Sequence, residues 1–190
     1  MAYFPTFIKF DDKKILIVGG GYIASEKLVH LLDFTKNITL IAKEYCPETQ
    51  KLIDDNSLDF TKKAYEEGDL KAFDVVIAAI DDLNIQELIY KESRNYNCLC
   101  NCVDLQKYCD FIFPSYVKKG DLTIAISTSG SSPSMAKYLK RWLNQMIPNS
   151  IVGFLKEMKE YRKTIPKGKE RMQFLDKKVQ DYVSTWKEEK

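Results

Sequence analysis

The stretch Lys14-Ile-Leu-Ile-Val18-Gly-Gly-Gly21-Tyr-Ile-Ala24 sets the architecture of the chain. Its apolar run 15–18 is typical of a buried strand, and the three glycines directly after it predict a tight turn. From Ala24 to Leu32 leucines recur at helical spacing. The stretch therefore predicts a strand, a glycine turn and a helix in immediate succession.

Strand-like and helical segments continue to alternate after this unit. Further strands are predicted at 37–41, 58–62, 75–79 and 98–103, and Asp82 is placed to cap a helix that follows the fourth strand. Strands that alternate with helices through short links indicate a parallel sheet with helices on both faces. We therefore predict an α/β fold for residues 1–113.

The glycine turn fits the G-x-G-x-x-G/A fingerprint of dinucleotide-binding domains. Gly19 permits the turn, Gly21 leaves room for a pyrophosphate at the helix N-terminus, and Ala24 lets the helix pack close to the strand. A purely structural glycine turn is the alternative, but the strand–helix–strand context favours nucleotide binding. We predict a Rossmann-type domain whose turn, Gly19, Gly20 and Gly21, contacts the cofactor.

Charged residues after other strands are further candidates for the cofactor site. Lys43 and Glu44 occupy the loop after the second strand, where Glu44 could reach a ribose hydroxyl and Lys43 a 2′-phosphate, so NAD and NADP both stay open. Asp81 ends the fourth strand and is expected in the nucleotide cleft. Asp104 follows the fifth strand, where a carboxylate could act as general base while a hydride leaves. A loop Asp that caps a turn is its alternative.

After Asp110 the pattern changes. Strands are predicted at 111–113 and 122–126, followed by a Ser/Gly/Pro cluster, 127–133, and an amphipathic helix to Met146. Its apolar stripe (Met135, Leu139, Trp142, Leu143, Met146) lies on a segment too small for a core of its own. We predict a small α+β dimerisation segment, 114–148, and a helical segment, 149–190.

Composition limits the class of protein. The chain has 190 residues, 45% hydrophobic and 29% charged, which is typical of a globular protein. No apolar run approaches the roughly 20 residues of a membrane span, so no membrane partner is expected. Five cysteines cannot all pair, and we expect reduced thiols in the cytoplasm. Alternating Cys98, Cys100 and Cys102 predict small buried apolar residues, and no metal site is expected.

Charge is divided unevenly along the chain. Residues 1–114 carry 13 Lys/Arg against 19 Asp/Glu, a net −6, whereas residues 115–190 carry 16 against 8, a net +8. The basic part indicates an anionic partner, with an ordinary solvated surface as the alternative. Ser127 and Thr128, before the amphipathic helix, could help to hold an anion.

Several motifs together carry a family resemblance that extends over about residues 1–148. They are Tyr3-Phe-Pro-Thr-Phe7, Val18-Gly-Gly-Gly-Tyr-Ile-Ala-Ser-Glu-Lys27, Ala78-Ala-Ile-Asp-Asp82, Asn101-Cys-Val-Asp104, Phe111-Ile-Phe-Pro-Ser115 and Gly120-Asp-Leu-Thr-Ile-Ala-Ile-Ser-Thr-Ser-Gly-Ser-Ser-Pro133. In order and spacing the chain resembles the precorrin-2 dehydrogenase family, including the N-terminal half of bifunctional siroheme synthases.

The resemblance implies a homodimer that oxidises precorrin-2 to sirohydrochlorin with NAD, with Asp104 as the catalytic residue. It also implies nucleotide contacts at Tyr22, Ile23, Lys43 and Glu44. Precorrin-2 carries eight carboxylates, and the predicted substrate-binding residues that would meet them are Lys118, Lys119, Lys137, Ser127 and Thr128. No nucleic-acid partner is expected. Two alternatives stay open: an enzyme that also inserts iron, and a non-catalytic NAD(H)-sensing module.

Overall fold

The computed structural model describes residues 3–186, and five short strands in its first part pair in parallel into one sheet. The strands are β1 (Ile15–Val18), β2 (Ile38–Ala42), β3 (Asp59–Lys62), β4 (Val75–Ala78) and β5 (Leu99–Cys102). Their order across the sheet is β3-β2-β1-β4-β5. The direction of the chain across the sheet reverses between β1 and β4, and ligands of such sheets bind in the crevice outside the strand ends at this point.

Three helices lie between these strands, and a short 3₁₀ turn follows the last of them. They are α1 (Tyr22–Leu32), α2 (Pro47–Asn56), α3 (Leu83–Asn95) and the 3₁₀ turn Gln106–Tyr108. Because parallel crossovers are right-handed, α1 and α2 cover one face of the sheet and α3 covers the other. The predicted Rossmann-type α/β fold is thereby confirmed.

The core of the sheet lies in its central strands. Every residue of β1 and of β4 is buried, as expected of apolar runs covered on both faces, whereas all four residues of the edge strand β3 are exposed. Cys98, Cys100 and Cys102 are buried in the same core and behave as the small apolar residues that were predicted. Burial raises the pKa of the Cys98 thiol to about 12.

The described residues divide into a first unit, residues 3–112, and a second unit, residues 113–186. The second unit contains the hairpin strands β6 (Ser115–Lys119) and β7 (Leu122–Ile126), followed by the helices α4 (Pro133–Met146), α5 (Ile151–Thr164) and α6 (Lys169–Thr185). Within residues 3–186, no helix is both long enough and apolar enough to cross a membrane.

The prediction of a strand at Phe111–Phe113 is wrong. The hairpin closes through the two residues 120–121, with Gly120 at φ 59°, and this turn pairs Lys119 with Leu122 and Ser115 with Ile126. The last residue of β7 pairs with Ser115, so β6 begins there and residues 111–113 lie outside the hairpin. Instead, the side-chain amide of Asn101 donates to the Phe111 carbonyl at 2.8 Å.

Candidate nucleotide-binding site

The three glycines of the turn after β1 have different roles. Gly19 has φ +128°, and a Cβ there would lie 2.0 Å from the Ala79 carbonyl oxygen. A Cβ on Gly20 would lie 2.2 Å from the backbone carbonyl oxygen of Glu44. A Cβ on Gly21 would meet nothing within 4 Å. Gly19 and Gly20 are therefore required by the fold, whereas Gly21 keeps a space open in front of α1.

Gly21 is also the N-cap of α1, in an extended conformation with φ −84°. The first N–H groups of a helix have no partner inside the helix, and within the described residues no side chain caps α1. Ala24, one turn into the helix, is fully buried against the sheet as predicted. The N-terminus of α1 thus presents N–H donors and a positive partial charge to the space beside Gly21.

The start of α2 is hydrogen-bonded to the glycine turn. The backbone N–H of Cys46 donates to the Gly20 carbonyl at 2.8 Å, and the buried hydroxyl of Thr49 donates to the Gly21 carbonyl at 3.1 Å. These contacts engage the carbonyl oxygens of the turn, which would otherwise repel an anion. Thr49 has no signal in the sequence, since nothing near it marks a partner 28 residues away.

A cavity of about 680 Å³ opens at the carboxyl ends of the parallel strands. Its volume is in the usual size range of ligand pockets. Its walls are the ends of β1, β2 and β4 and the loops that follow β1, β2, β3 and β4. The structure places all eight predicted cofactor-binding residues in this lining: Gly19, Gly20, Gly21, Tyr22, Ile23, Lys43, Glu44 and Asp81.

The loop that carries Lys43 and Glu44 is fixed by its neighbour Tyr45. The Tyr45 hydroxyl donates to the carbonyls of Leu40 and Thr61, at 3.1 and 2.9 Å, and burial raises its pKa. Both charged side chains are exposed in the lining of the cavity. A basic and an acidic group are therefore available side by side for the ribose end of a dinucleotide.

The loop after β3, which had no sequence signal, also lines the cavity. Lys63 donates to Asp69 at 2.7 Å and to Glu66 at 3.1 Å, and these bonds raise its pKa. Tyr65 donates its hydroxyl proton to Glu92, a buried carboxylate that also accepts the Gly68 N–H at 2.8 Å. Burial and the bond to Glu92 raise the pKa of Tyr65. This loop is therefore held both by local contacts of Lys63 and by the distant carboxylate of Glu92.

The loop after β4 completes the cavity. Asp82 caps α3, as predicted, by accepting the N–H groups of Asn84 and Ile85 at 2.9 and 3.2 Å. Asp81 lies in the cavity lining. The amide of Gln86 in the first turns of α3 donates to the Ile80 carbonyl at 2.7 Å and to Asp104 Oδ2 at 3.0 Å.

Asp104 lies just beyond β5 at the same carboxyl edge of the sheet, and its side chain is exposed. It is outside the set of residues that line the cavity and is joined to that lining through Gln86. In the part of the chain from 3 to 186, no group of three or more His, Cys, Asp or Glu side chains is arranged to hold a metal ion.

The predicted substrate-binding residues all belong to the second unit. Lys118 and Lys137 are exposed. Ser127 Oγ accepts the Ser129 N–H and Thr128 Oγ1 accepts the Ser132 N–H, both at 3.1 Å, so these hydroxyls order the turn before α4.

Lys119 differs from the prediction. Its ammonium donates to the carbonyls of Asn144 and Ile147, at 2.9 and 2.6 Å, and to Asn149 Oδ1 at 3.0 Å. An ammonium group has three protons, and all three are used at the C-terminal end of α4, where a positive charge is also favourable. In this arrangement Lys119 has a structural role and keeps no proton for a substrate carboxylate.

Known proteins similar to this chain agree with the geometry of the first unit. A family model described as putative NAD(P)-binding matches residues 6–115, and one described as sirohaem biosynthesis protein central matches residues 119–146. The chain shares the fold of a solved structure of SirC, a precorrin-2 dehydrogenase. The TM-score is 0.77 at 20% identity, over 98% of this chain and 100% of that one.

Curated relatives cover most of the chain. A siroheme synthase of Pseudoalteromonas translucida is 37% identical over 151 residues, 80% of this chain and 32% of the relative. A siroheme synthase of Methylococcus capsulatus is 32% identical over 184 residues, 95% of this chain and 39% of the relative. The chain thus spans about a third of the length of these relatives. With a match over more than half of its residues, it belongs to the putative NAD(P)-binding family.

Proposed function

We propose that this chain oxidises precorrin-2 to sirohydrochlorin with NAD, and that Asp104 is the catalytic base. The observation that carries the proposal is the open space at Gly21 in front of the uncapped N-terminus of α1, inside a cavity of about 680 Å³. Relatives named siroheme synthase and the fold shared with a precorrin-2 dehydrogenase support the choice of substrate. These observations favour neither iron insertion nor a purely sensing role.

The residues of the cavity fit a dinucleotide. The N–H groups of Tyr22 and Ile23 at the start of α1 would donate to the pyrophosphate, and the missing side chain of Gly21 lets the phosphates approach. Lys43 and Glu44 would hold the ribose end, and Asp81 would lie beside the ligand. When bound, NAD supplies the hydride acceptor.

Asp104 would remove the proton that accompanies the hydride. Precorrin-2 loses two electrons and two protons in becoming sirohydrochlorin; one hydride goes to the nicotinamide, and Asp104 accepts the remaining proton and passes it to water. The exposed position of Asp104 would leave its carboxylate open to a macrocyclic substrate. A positioned base typically contributes about 10²–10⁴-fold to the rate.

The second unit would attract the substrate by its charge. Its net +8 is complementary to the carboxylates of the tetrapyrrole, which increases the encounter rate. We assign this role to Lys118 and Lys137 and to the turn of Ser127 and Thr128, while Lys119 supports α4.

The active form would be a homodimer, with residues 114–148 as the dimerisation segment. Met135, Tyr138 and Trp142 follow one another along one exposed face of α4, and each is about half exposed. A second copy of the chain would bury this face in an isologous contact.

All five cysteines, which lie within the described residues, are free, and this supports a cytoplasmic location.

An anaerobic turnover assay with precorrin-2, run with NAD and NADP in parallel, tests the proposal. We expect formation of reduced nicotinamide, and we expect Asp104→Asn to lower kcat by about 10²–10⁴-fold with unchanged affinity for NAD. Asp59→Asn on the exposed edge strand is the matched control and should keep parental turnover. NAD binding without turnover would contradict the proposal and favour a sensing module.

A further inference from the structure

Gln86 connects the cofactor cavity to Asp104. One amide proton goes to the carbonyl of Ile80, a residue of the cavity lining, and the other to Asp104 Oδ2. Gln86 is fully buried, whereas Asp104 is exposed. A single buried side chain is therefore hydrogen-bonded both to the cavity wall and to an exposed carboxylate.

The position of Gln86 is itself closely fixed. Its backbone N–H donates to the Asp82 carbonyl at 3.0 Å, and its carbonyl accepts a weak bond from Cys102 Sγ at 3.4 Å. Asp82 is the N-cap of α3 and directly follows the cavity residue Asp81. The amide thus extends from a helix start that is anchored to the ends of both β4 and β5.

Burying the amide also has a cost for the fold. Gln86 Oε1 is buried and has no hydrogen-bond partner among residues 3–186. A buried acceptor without a partner destabilises a fold, and an apolar side chain of the same shape avoids that penalty. The two donated bonds are the features that an apolar side chain could not supply.

We propose that Gln86 is a positioning residue for the base Asp104. This inference rests on the proposed function, since it assigns Asp104 the proton transfer. With Oδ2 held by the amide, Oδ1 is the oxygen left to accept the proton. Loss of this hold would misplace the carboxylate, while the glycine turn at α1 has no contact with Gln86. Small misplacements of a reacting group reduce rates by up to about 10²-fold.

The first test is Gln86→Met, which keeps the size of the side chain and removes both donors and the unpaired oxygen. We expect kcat to fall about 10–100-fold, while KM for precorrin-2 and Kd for NAD stay within about threefold. The melting temperature should change little, because removal of the unpaired oxygen offsets the loss of the two donated bonds. Parental kcat, or a melting temperature far below that of the parent, would overturn the proposal.

Two further variants make the result specific. Gln86→Glu has the same shape but places a second carboxylate beside Asp104, so it should lower kcat at least as much. Ser93→Ala, in the same helix, removes another fully buried polar group, whose hydroxyl donates to the Tyr90 carbonyl at 2.7 Å. It should lower the melting temperature and leave kcat unchanged.

A double-mutant cycle shows whether Gln86 acts through Asp104. If it does, Gln86→Met has no further effect on kcat in the Asp104→Ala background. An equal loss in both backgrounds would overturn the proposal.

Nuclear magnetic resonance separates this inference from the proposed function. The side-chain amide signals of Gln86 should shift in Asp104→Ala, and the absence of a shift would overturn the contact whatever the activity. If the signals shift but Asp104→Ala turns over at the parental rate, the contact stands and the role of Asp104 as base is wrong.

Discussion

Replacing Gly21 with Asp separates binding of the cofactor from stability of the fold. The Gly21 backbone lies at φ −84°, which any residue adopts, and a Cβ there meets nothing within 4 Å. Asp is also a better N-cap than Gly by a few tenths of a kcal/mol. The variant should therefore fold with an unchanged or slightly higher melting temperature.

Binding should respond in the opposite direction. The new carboxylate would accept the N–H groups at the start of α1 and place a negative charge where the pyrophosphate must lie. At an effective dielectric constant of about 20, two unit charges about 5 Å apart repel by about 3 kcal/mol. Since about 1.4 kcal/mol corresponds to tenfold in Kd, affinity for NAD should fall by about 100-fold or more.

Titration calorimetry with NAD measures this change, and thermal unfolding of the same sample confirms that the variant is folded. Gly21→Ser is the matched control, because it caps α1 without a net charge and should weaken binding less than Asp. Gly20→Ala should lower the melting temperature, since its Cβ would lie 2.2 Å from the Glu44 oxygen. A folded Gly21→Asp protein with parental affinity for NAD would refute the placement of the pyrophosphate at α1.

Three other changes test separate parts of the structure. Lys119→Met removes the ammonium from the C-terminal end of α4 and should lower the free energy of unfolding by about 1–2 kcal/mol, measured by chemical denaturation; unchanged stability would restore Lys119 as a candidate for substrate binding. Trp142→Glu places a charge on the exposed apolar face of α4, so light scattering should give the monomer mass of 22.0 kDa where the parent gives twice that value; a monomeric parent would contradict the dimer. Because burial and Glu92 raise the pKa of Tyr65, the unfolded chain loses this proton at a lower pH than the folded one. Stability should therefore fall as the pH rises above about 10, and this decline should be smaller in Tyr65→Phe; an identical pH dependence in the two proteins would rule out the Tyr65 contribution.

The sequence by itself determined the sheet and the cofactor edge, because their signals are local. The run 15–18, the glycines after it and the cap Asp82 lie within a few residues of the elements they specify. Parallel strands then bring Lys43, Glu44 and Asp81 to one edge of the sheet, with no need to know any side-chain contact.

Only the tertiary structure decided what supports that edge. Thr49 reaches Gly21 across 28 residues, Tyr65 reaches Glu92 across 27, and Gln86 reaches Asp104 across 18. Lys119 was predicted to bind substrate from its charge alone. Its ammonium instead donates to three oxygens at and just beyond the C-terminal end of α4, between 25 and 30 residues further along the chain. A polar side chain looks the same in sequence whether its partner is a ligand or a distant carbonyl, because the packing of the elements determines which of them lies within hydrogen-bonding distance.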